Sequence, residues 1–222
     1  LTLFIDHTFL YTDAVKALKT YSLKDNFGDK LYYDSTRINL GLIQNDINVL
    51  WDLAVHDLSI LNYLYKDSPI SVSAVGHKHF SSKPITSAFM TLKYNSNFIA
   101  HINVSWLSPV KIRQTILAGS KKMIIYNDLE KKNKIVVHNK GVNVIKNENS
   151  SKNLVKYKIG GTNIPKLQNK EALSQAVEDF ILSIIKKKQP ISNGHIALKI
   201  VKILESADRS MEQGGKSIKI SL

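Results

Sequence analysis

The spacing of apolar positions along this chain alternates between a helical and a strand period. We refer to the helix predicted over residues 48–61 as the central helix. In residues 48–61 the apolar positions, continued by Leu64, recur on one helix face, and Asp46 or Asn48 can cap the first turn. Helical spacing also predicts helices over residues 12–21, 171–188 and 195–211. Alternating or short apolar runs predict strands over residues 1–5, 30–39, 70–80, 86–94, 98–106, 111–118, 122–126, 134–138, 142–145, 154–159 and 217–222.

Gly, Asn and Asp residues mark the connections between these elements. Asn95-Ser96-Asn97 predicts a hairpin, Asn139-Lys140-Gly141 a turn between two short strands, and residues 160–165 a loop. The polar residues 147–153 are expected to form a mobile loop, and Gly214-Gly215 is expected to end the last helix.

A consecutive run of strands with helices before and after it predicts an α+β domain. We expect one large, mainly antiparallel open sheet with helices on one face, forming a single domain over residues 1–222. Nothing in the chain supplies cover for the second face of the sheet, so we expect self-association through that face or a missing domain. Because the chain opens with Leu1 inside an apolar strand, we expect it to be a fragment of a longer protein.

The positive charge of the chain raises the possibility of a nucleic-acid partner. The formal net charge is +13, yet all basic residues except Arg37, Arg113 and Arg209 are lysines scattered along the chain. Nucleic-acid modules usually combine arginine and aromatic residues in their basic patch, and this chain does not. We therefore expect no nucleic-acid partner, although a basic binding module stays an alternative hypothesis.

Several other classes of function are disfavoured by the sequence. There is no cysteine, which excludes disulfides and thiolate metal sites. No apolar run approaches the roughly 20 residues of a membrane span and no signal peptide is visible, so we expect a cytoplasmic protein without a membrane partner. His77, His79 and His101 lack acidic neighbours, so no metal site is predicted. No Gly-x-Gly-x-x-Gly sequence is present, so we expect no dinucleotide site on this chain.

The central helix carries a carboxylate and an imidazole at helical spacing. Asp52 and His56 are four residues apart, so both side chains lie on one face of a regular helix. Such a pair can hold the histidine in one tautomer and make it a proton acceptor near neutral pH. The structural alternative is that Asp52 favours the positive end of a helix and that His56 is a satisfied core histidine.

Six segments carry a resemblance to a known family. They are His7-Thr8-Phe9-x-Tyr11, Arg37-x-Asn39-x-Gly41, Asn48-Val49-Leu50-Trp51-Asp52-Leu53-x-x-His56-Asp57, Ser105-Trp106-Leu107-x-Pro109-x-Lys111-x-Arg113, Gly119-Ser120-Lys121-Lys122-Met123-Ile124-Ile125-Tyr126-x-Asp128 and Ala207-Asp208-x-Ser210-x-x-x-Gly214-Gly215. In this order they resemble the second domain of the glucose–fructose oxidoreductase/inositol dehydrogenase (Gfo/Idh/MocA) family. The second and third segments are most similar to its nucleotide-sugar branch, the UDP-N-acetylglucosamine and UDP-N-acetylglucosaminuronate 3-dehydrogenases.

The resemblance implies a fold, a cofactor and a reaction. It implies a glyceraldehyde-3-phosphate dehydrogenase-like C-terminal domain that binds substrate and forms homodimers or tetramers through its sheet. The missing N-terminal Rossmann domain would bind NAD or NADP, and hydride would pass between the nicotinamide and a sugar carbon. The family's catalytic lysine belongs to a Glu-Lys-Pro motif that this chain lacks, so the chain alone is expected to bind no cofactor and to be inactive.

The resemblance also implies roles for individual residues. His56 corresponds to the catalytic histidine and is expected to accept the hydroxyl proton, and Asp52 is expected to orient the substrate or His56. Five further residues are expected to lie at the cleft between substrate and cofactor. Arg37, Asn39 and Asn48 are candidate substrate contacts, and His7 and Tyr11 are candidate cofactor-side residues. For Asn39 and Asn48, turn formation and helix capping are alternative explanations.

Two hypotheses therefore compete with a sugar dehydrogenase domain. The first is a family member that has lost catalysis and serves as a binding or scaffold subunit. The second is the basic nucleic-acid-binding module, whose binding would depend steeply on salt concentration.

Overall fold

The fold is built on one sheet of nine strands, as a computed structural model of the chain shows. The structure describes residues 1–145, 154–168 and 170–221. The strands are β1 (Lys30–Leu40), β2 (Ser71–His77), β3 (Ser87–Lys93), β4 (Ile99–Ser105), β5 (Leu107–Gly119), β6 (Met123–Asn127), β7 (Ile135–Ile145), β8 (Leu154–Asn163) and β9 (Ile218–Lys219). Their order across the sheet is β8-β7-β6-β5-β1-β4-β3-β2-β9. β1 and β4 pair parallel and the other neighbours pair antiparallel, so the predicted mainly antiparallel open sheet is confirmed.

In the part of the chain that the structure describes, four α-helices form a layer over one face of this sheet. They are α1 (Asp13–Ser22), α2 (Val55–Leu64), α3 (Ala172–Ile185) and α4 (Gly194–Glu212). Helix α1 begins where predicted, because the Thr12 side chain accepts a hydrogen bond from the backbone N–H of Val15 at 3.3 Å. Helix α4 packs on β2 and ends before Gly214 and Gly215, whose positive φ angles of 67° and 93° suit glycine.

The hydrophobic core fills the space between the helices and the sheet. Alternate residues of β4 and β3 point into it, and the opposite residues of the same strands are half-buried or exposed. Phe89 on β3, Val75 on β2 and Ile99 on β4 are 52%, 58% and 44% exposed on the face away from the helices. The prediction that helices cover only one face of the sheet is therefore confirmed.

Four sequence-based predictions about local structure were wrong. Residues 1–5 do not form a strand, because only Phe4 pairs there, in an isolated antiparallel bridge to Asn193. Residues 139–141 do not form a turn but continue β7, with an irregularity in register between His138 and Lys140. The predicted loop at 160–165 is strand β8 as far as Asn163. The last strand, predicted over 217–222, is only Ile218–Lys219, because only two residues pair with β2. The predicted mobile loop at 147–153 lies outside the described residues.

The central helix differs from the prediction at its start. Residues Leu50–Ala54 form a π-helical turn, and the regular helix α2 begins only at Val55. Single π turns inside helices are rare and are frequent at functional sites. Within the described ranges, no helix has the length and apolar character needed to cross a bilayer.

Candidate active site

The start of the central helix is fixed by hydrogen bonds to α4. The Asn48 side-chain oxygen accepts from the backbone N–H groups of Leu50 at 3.0 Å and Trp51 at 3.4 Å, so the capping prediction is confirmed for Asn48. The amide nitrogen of Asn48 donates to Oδ1 of Asp208 at 2.8 Å, and the indole N–H of Trp51 donates to Oδ2 at 2.6 Å. Asn48 was predicted to contact the substrate, but both polar atoms of its side chain are hydrogen-bonded within the protein.

Asp52 lies inside the π turn, and a residue between two sheet strands holds its carboxylate in place. Its Oδ2 accepts a hydrogen bond from the indole N–H of Trp106 at 2.8 Å. Trp106 is the residue between β4 and β5 and is 1% exposed. In the part of the chain that the structure describes, Asp52 makes no side-chain hydrogen bond to His56. The carboxylate is thus positioned by an indole rather than by the histidine four residues later.

His56 is half-buried at the start of α2, against the ring of Phe9. The two ring centroids are 5.1 Å apart in an edge-on arrangement. Burial, and after it the positive charge of Arg37, lowers the pKa of His56 from its ordinary value near 6.5 to about 4. The imidazole is therefore neutral at pH 7 and has a lone pair that can accept a proton. Among the described residues, its ring nitrogens have no hydrogen-bond partner in the protein.

Arg37 lies close to His56 but is engaged by another residue. Its Nε donates to Oδ2 of Asp57 at 2.7 Å and its Nη2 to Oδ1 at 3.3 Å. Phe9 covers the guanidinium with its ring centroid at 4.7 Å, and thus contacts both Arg37 and His56. The guanidinium was a predicted substrate contact, and the structure places it in a buried ion pair whose charge acts on His56.

Asn39 and His7 are two further predicted site residues, Asn39 on the Trp106 side and His7 on the His56 side of the site. Asn39 is half-buried near the end of β1. A Cβ on Gly41 would lie 2.7 Å from the Asn39 amide nitrogen and 3.3 Å from the Trp106 ring, so both side chains flank Gly41. His7 is 6% exposed, and its charge would affect His56. Burial lowers the pKa of His7, and its Nε2 has no hydrogen-bond partner among the described residues.

Tyr11 is directed away from this group. Its hydroxyl donates to Oδ2 of Asp179 on α3 at 2.9 Å and accepts from the backbone N–H of Ser192 at 3.3 Å. Burial, followed by the hydrogen bond to Asp179, raises the pKa of Tyr11. Tyr11, predicted to face the cofactor, is 1% exposed and ties the opening segment to α3 and to the connection before α4.

Four further residues shape the site without having been predicted from the sequence, namely Phe9, Asp57, Trp106 and Asp208. Each lies within a segment that carried the family resemblance, but composition and spacing did not distinguish it from core or capping residues. Within the described ranges, no group of three or more His, Asp or Glu side chains is arranged to hold a metal ion. Within the described residues, Nε2 of His7, the imidazole of His56 and Oδ1 of Asp52 have no hydrogen-bond partner in the protein, so each can contact a bound molecule.

The fold is a mainly antiparallel open sheet covered by helices on one face, and the site is an aspartate and a histidine at the start of the central helix. Residues 34–125 match a family model described as the GFO/IDH/MocA C-terminal domain. The match covers the central part of the chain and agrees with the resemblance that its sequence segments indicated. A comparison with curated protein sequences gives no significant match.

Solved structures share this fold at low sequence identity. UDP-N-acetylglucosamine 3-dehydrogenase GnnA from Acidithiobacillus ferrooxidans has 19% identity and a TM-score of 0.77, with 97% of this chain and 63% of GnnA covered. An oxidoreductase from Agrobacterium radiobacter in complex with NAD+, L-tartaric acid and magnesium has 13% identity and a TM-score of 0.76, with coverages of 99% and 65%. Aldose-aldose oxidoreductase from Caulobacter crescentus has 15% identity and a TM-score of 0.74, with coverages of 99% and 64%. The chain thus spans less than two thirds of the length of these relatives.

Proposed function

We propose that this chain is the substrate-binding and oligomerisation domain of an NAD(P)-dependent oxidoreductase that moves a hydride to or from a sugar carbon. The observation that carries this proposal is the neutral, half-buried imidazole of His56 beside the carboxylate of Asp52. The likeness to GnnA in fold, and the resemblance of two segments to the nucleotide-sugar branch, support a UDP-N-acetyl sugar as the substrate.

His56 is the proton acceptor in this proposal. When a sugar alcohol is oxidised, the hydroxyl proton passes to a ring nitrogen of His56 and the oxygen becomes a carbonyl oxygen. Asp52 orients the hydroxyl or the imidazole, and burial, together with the positive charge of Arg37, keeps His56 unprotonated before the reaction. NAD or NADP, when bound, supplies the hydride acceptor. In the reverse direction the protonated His56 returns the proton to the oxygen.

The cofactor is expected to be held by a second domain of the complete protein. The compared structures are longer than this chain by more than a third of their own length, which leaves room for a Rossmann domain. An apolar groove of about 510 Å³ on α3, lined partly by Leu173, Val177 and Ile181, offers an uncovered surface for that domain. His7 belongs to the adjoining opening segment and is a candidate contact to the cofactor.

The experiment that tests this proposal measures turnover in the complete protein with NAD(P)H or NAD(P)+ and UDP-N-acetyl sugars. We expect cofactor binding and sugar-dependent oxidation or reduction, and His56→Ala should lower turnover by roughly a hundredfold or more while cofactor affinity is kept. His195→Ala, which changes an exposed histidine on α4, is the matched control and should change turnover by less than about twofold.

The possible outcomes separate the competing functions. Unchanged turnover in His56→Ala would exclude His56 as the base. Turnover on free sugars or cyclitols alone would keep the oxidoreductase and reject the nucleotide sugar. Failure to bind NAD or NADP at all would favour the non-catalytic scaffold subunit.

A further inference from the structure

The two tryptophans of this chain each donate an indole hydrogen bond to a carboxylate, on different sides of the π turn. Trp51 belongs to the turn and reaches Oδ2 of Asp208 on α4 at 2.6 Å. Trp106 lies between β4 and β5 and reaches Oδ2 of Asp52 in the turn at 2.8 Å. Only the second of these bonds ends on a member of the Asp52–His56 pair.

The indole of Trp106 is held rigidly by its surroundings. Its backbone N–H donates to the carbonyl of Thr86 at 3.0 Å, and its carbonyl accepts from the N–H of Gly41 at 3.1 Å. The side chain is 1% exposed. It packs close to Gly41, where a Cβ would lie 3.3 Å from the indole ring. Since the backbone is fixed on both sides and the ring is packed, the N–H is a donor with a defined position.

This donor engages one carboxylate oxygen of Asp52 and leaves the other unused. In the described part of the chain, Oδ1 of Asp52 accepts no hydrogen bond from the protein. We propose that Trp106 is a positioning residue of the oxidoreductase reaction, which fixes Asp52 through Oδ2 so that Oδ1 can receive the substrate hydroxyl or the His56 imidazole. This inference rests on the proposed function.

A displacement of Asp52 should affect the reacting state more than binding. A charge-assisted hydrogen bond orients a carboxylate, and a misplacement of about 1 Å at a reacting group can cost on the order of a hundredfold in rate. In the complete protein, Trp106→Phe is therefore expected to lower kcat by roughly ten- to a hundredfold, with KM for the sugar changed less than about threefold.

The chain offers a matched control for this change. Because Trp106→Phe also leaves a small void, a second variant replaces Trp106 by 3-benzothienylalanine, which keeps the ring shape and has sulfur in place of the N–H. The same replacement at Trp51 removes an equally short bond to Asp208. We expect a clearly larger loss of kcat at Trp106 than at Trp51, and equal losses at both positions would overturn the proposal.

A double-mutant cycle tests whether Trp106 acts through Asp52. In an Asp52→Ala background, Trp106→Phe should cost no further turnover, whereas an undiminished loss would overturn the proposal. A readout without turnover comes from the indole 1H–15N resonances, assigned from Trp51→Phe and Trp106→Phe. Asp52→Ala should move the Trp106 resonance more than that of Trp51, which keeps its bond to Asp208, and an unmoved Trp106 resonance would overturn the proposal.

The same measurements separate this inference from the proposed function. If His56→Ala and Asp52→Ala reduce turnover but Trp106→Phe does not, the inference about Trp106 fails and the proposed function stands. If His56→Ala and Asp52→Ala leave turnover unchanged, the proposed function itself fails.

Discussion

Nε of Arg37 lies 2.7 Å from Oδ2 of Asp57, and the two side chains are 4% and 2% exposed. Ser35 also donates to Oδ1 of Asp57 at 2.7 Å, so the buried carboxylate accepts three hydrogen bonds from side chains. Asp57 directly follows His56 in the chain, so the ion pair lies next to the proposed proton acceptor. A buried pair of this kind is weak evidence for stability, but removal of one partner leaves an uncompensated charge.

Asp57→Asn is therefore expected to reduce the free energy of unfolding by about 3 kcal/mol, because the buried Arg37 loses its counter-charge. Urea unfolding would measure the change. Arg113→Met is the control, because the Arg113–Asp128 pair is more exposed, at 33% and 15%, and should cost below about 1 kcal/mol. Equal effects of the two changes would contradict a special role for the buried pair.

The lowered pKa of His56 predicts a pH dependence of stability. The unfolded chain takes up a proton near pH 6.5, whereas folded His56 does so only near 4. The contribution of His56 to the free energy of unfolding is thus complete above pH 6.5 and falls, by about 3 kcal/mol in all, as the pH drops to 4.

Two measurements check this dependence. An NMR titration of the histidine rings should show that His56 stays neutral at pH 5.5, and a midpoint near 6.5 would contradict the prediction. In His56→Gln, the free energy of unfolding should decrease less between pH 6.5 and 4 than in the unchanged protein. The slope that remains contains the contribution of His7, whose pKa is also lowered.

Two glycines of the β7–β8 pair are expected to respond differently to the same substitution. A Cβ on Gly141 would lie 2.2 Å from the backbone oxygen of Ser120, whereas a Cβ on Gly161 meets nothing within 4 Å. Gly141→Ala should destabilise the protein by about 1–3 kcal/mol, and Gly161→Ala should be neutral or slightly stabilising. Thermal unfolding of both variants measures this, and an equal response would show that the close approach at Gly141 is not retained in solution.

The sheet face away from the helices is expected to mediate self-association. Phe89 is 52% exposed there, beside Val75 on the neighbouring strand. Phe89→Glu should shift the complete protein toward monomers in light scattering, since it places a charge in the proposed interface. Leu198→Glu, at an equally exposed apolar position on α4, is the control and should leave the mass unchanged. If the unchanged protein is itself a monomer, this partner prediction is wrong.

Much of the fold could be predicted from the sequence because most elements here have a regular local pattern. The alternation in β3 and β4 and the Thr12 cap of α1 depend only on residues close in sequence, and the structure confirms them. The turn predicted at Asn139-Lys140-Gly141 was wrong, because contacts distant in sequence determine the structure there. Pairing with β8, and the close approach of Ser120 to Gly141, override a local turn signal.

By itself, the sequence determined the α+β class, the one-sided covering of the sheet, the family resemblance and the presence of Asp52 and His56 on one helix. The tertiary structure decided which partners those residues have. Trp106 is 54 positions from Asp52 along the chain, and their hydrogen bond exists only because the β4–β5 connection lies against the central helix. The π turn, the low pKa of His56 and the engagement of Arg37 by Asp57 likewise depend on burial and long-range contacts. Residue spacing cannot predict such contacts, because it describes only neighbours along the chain.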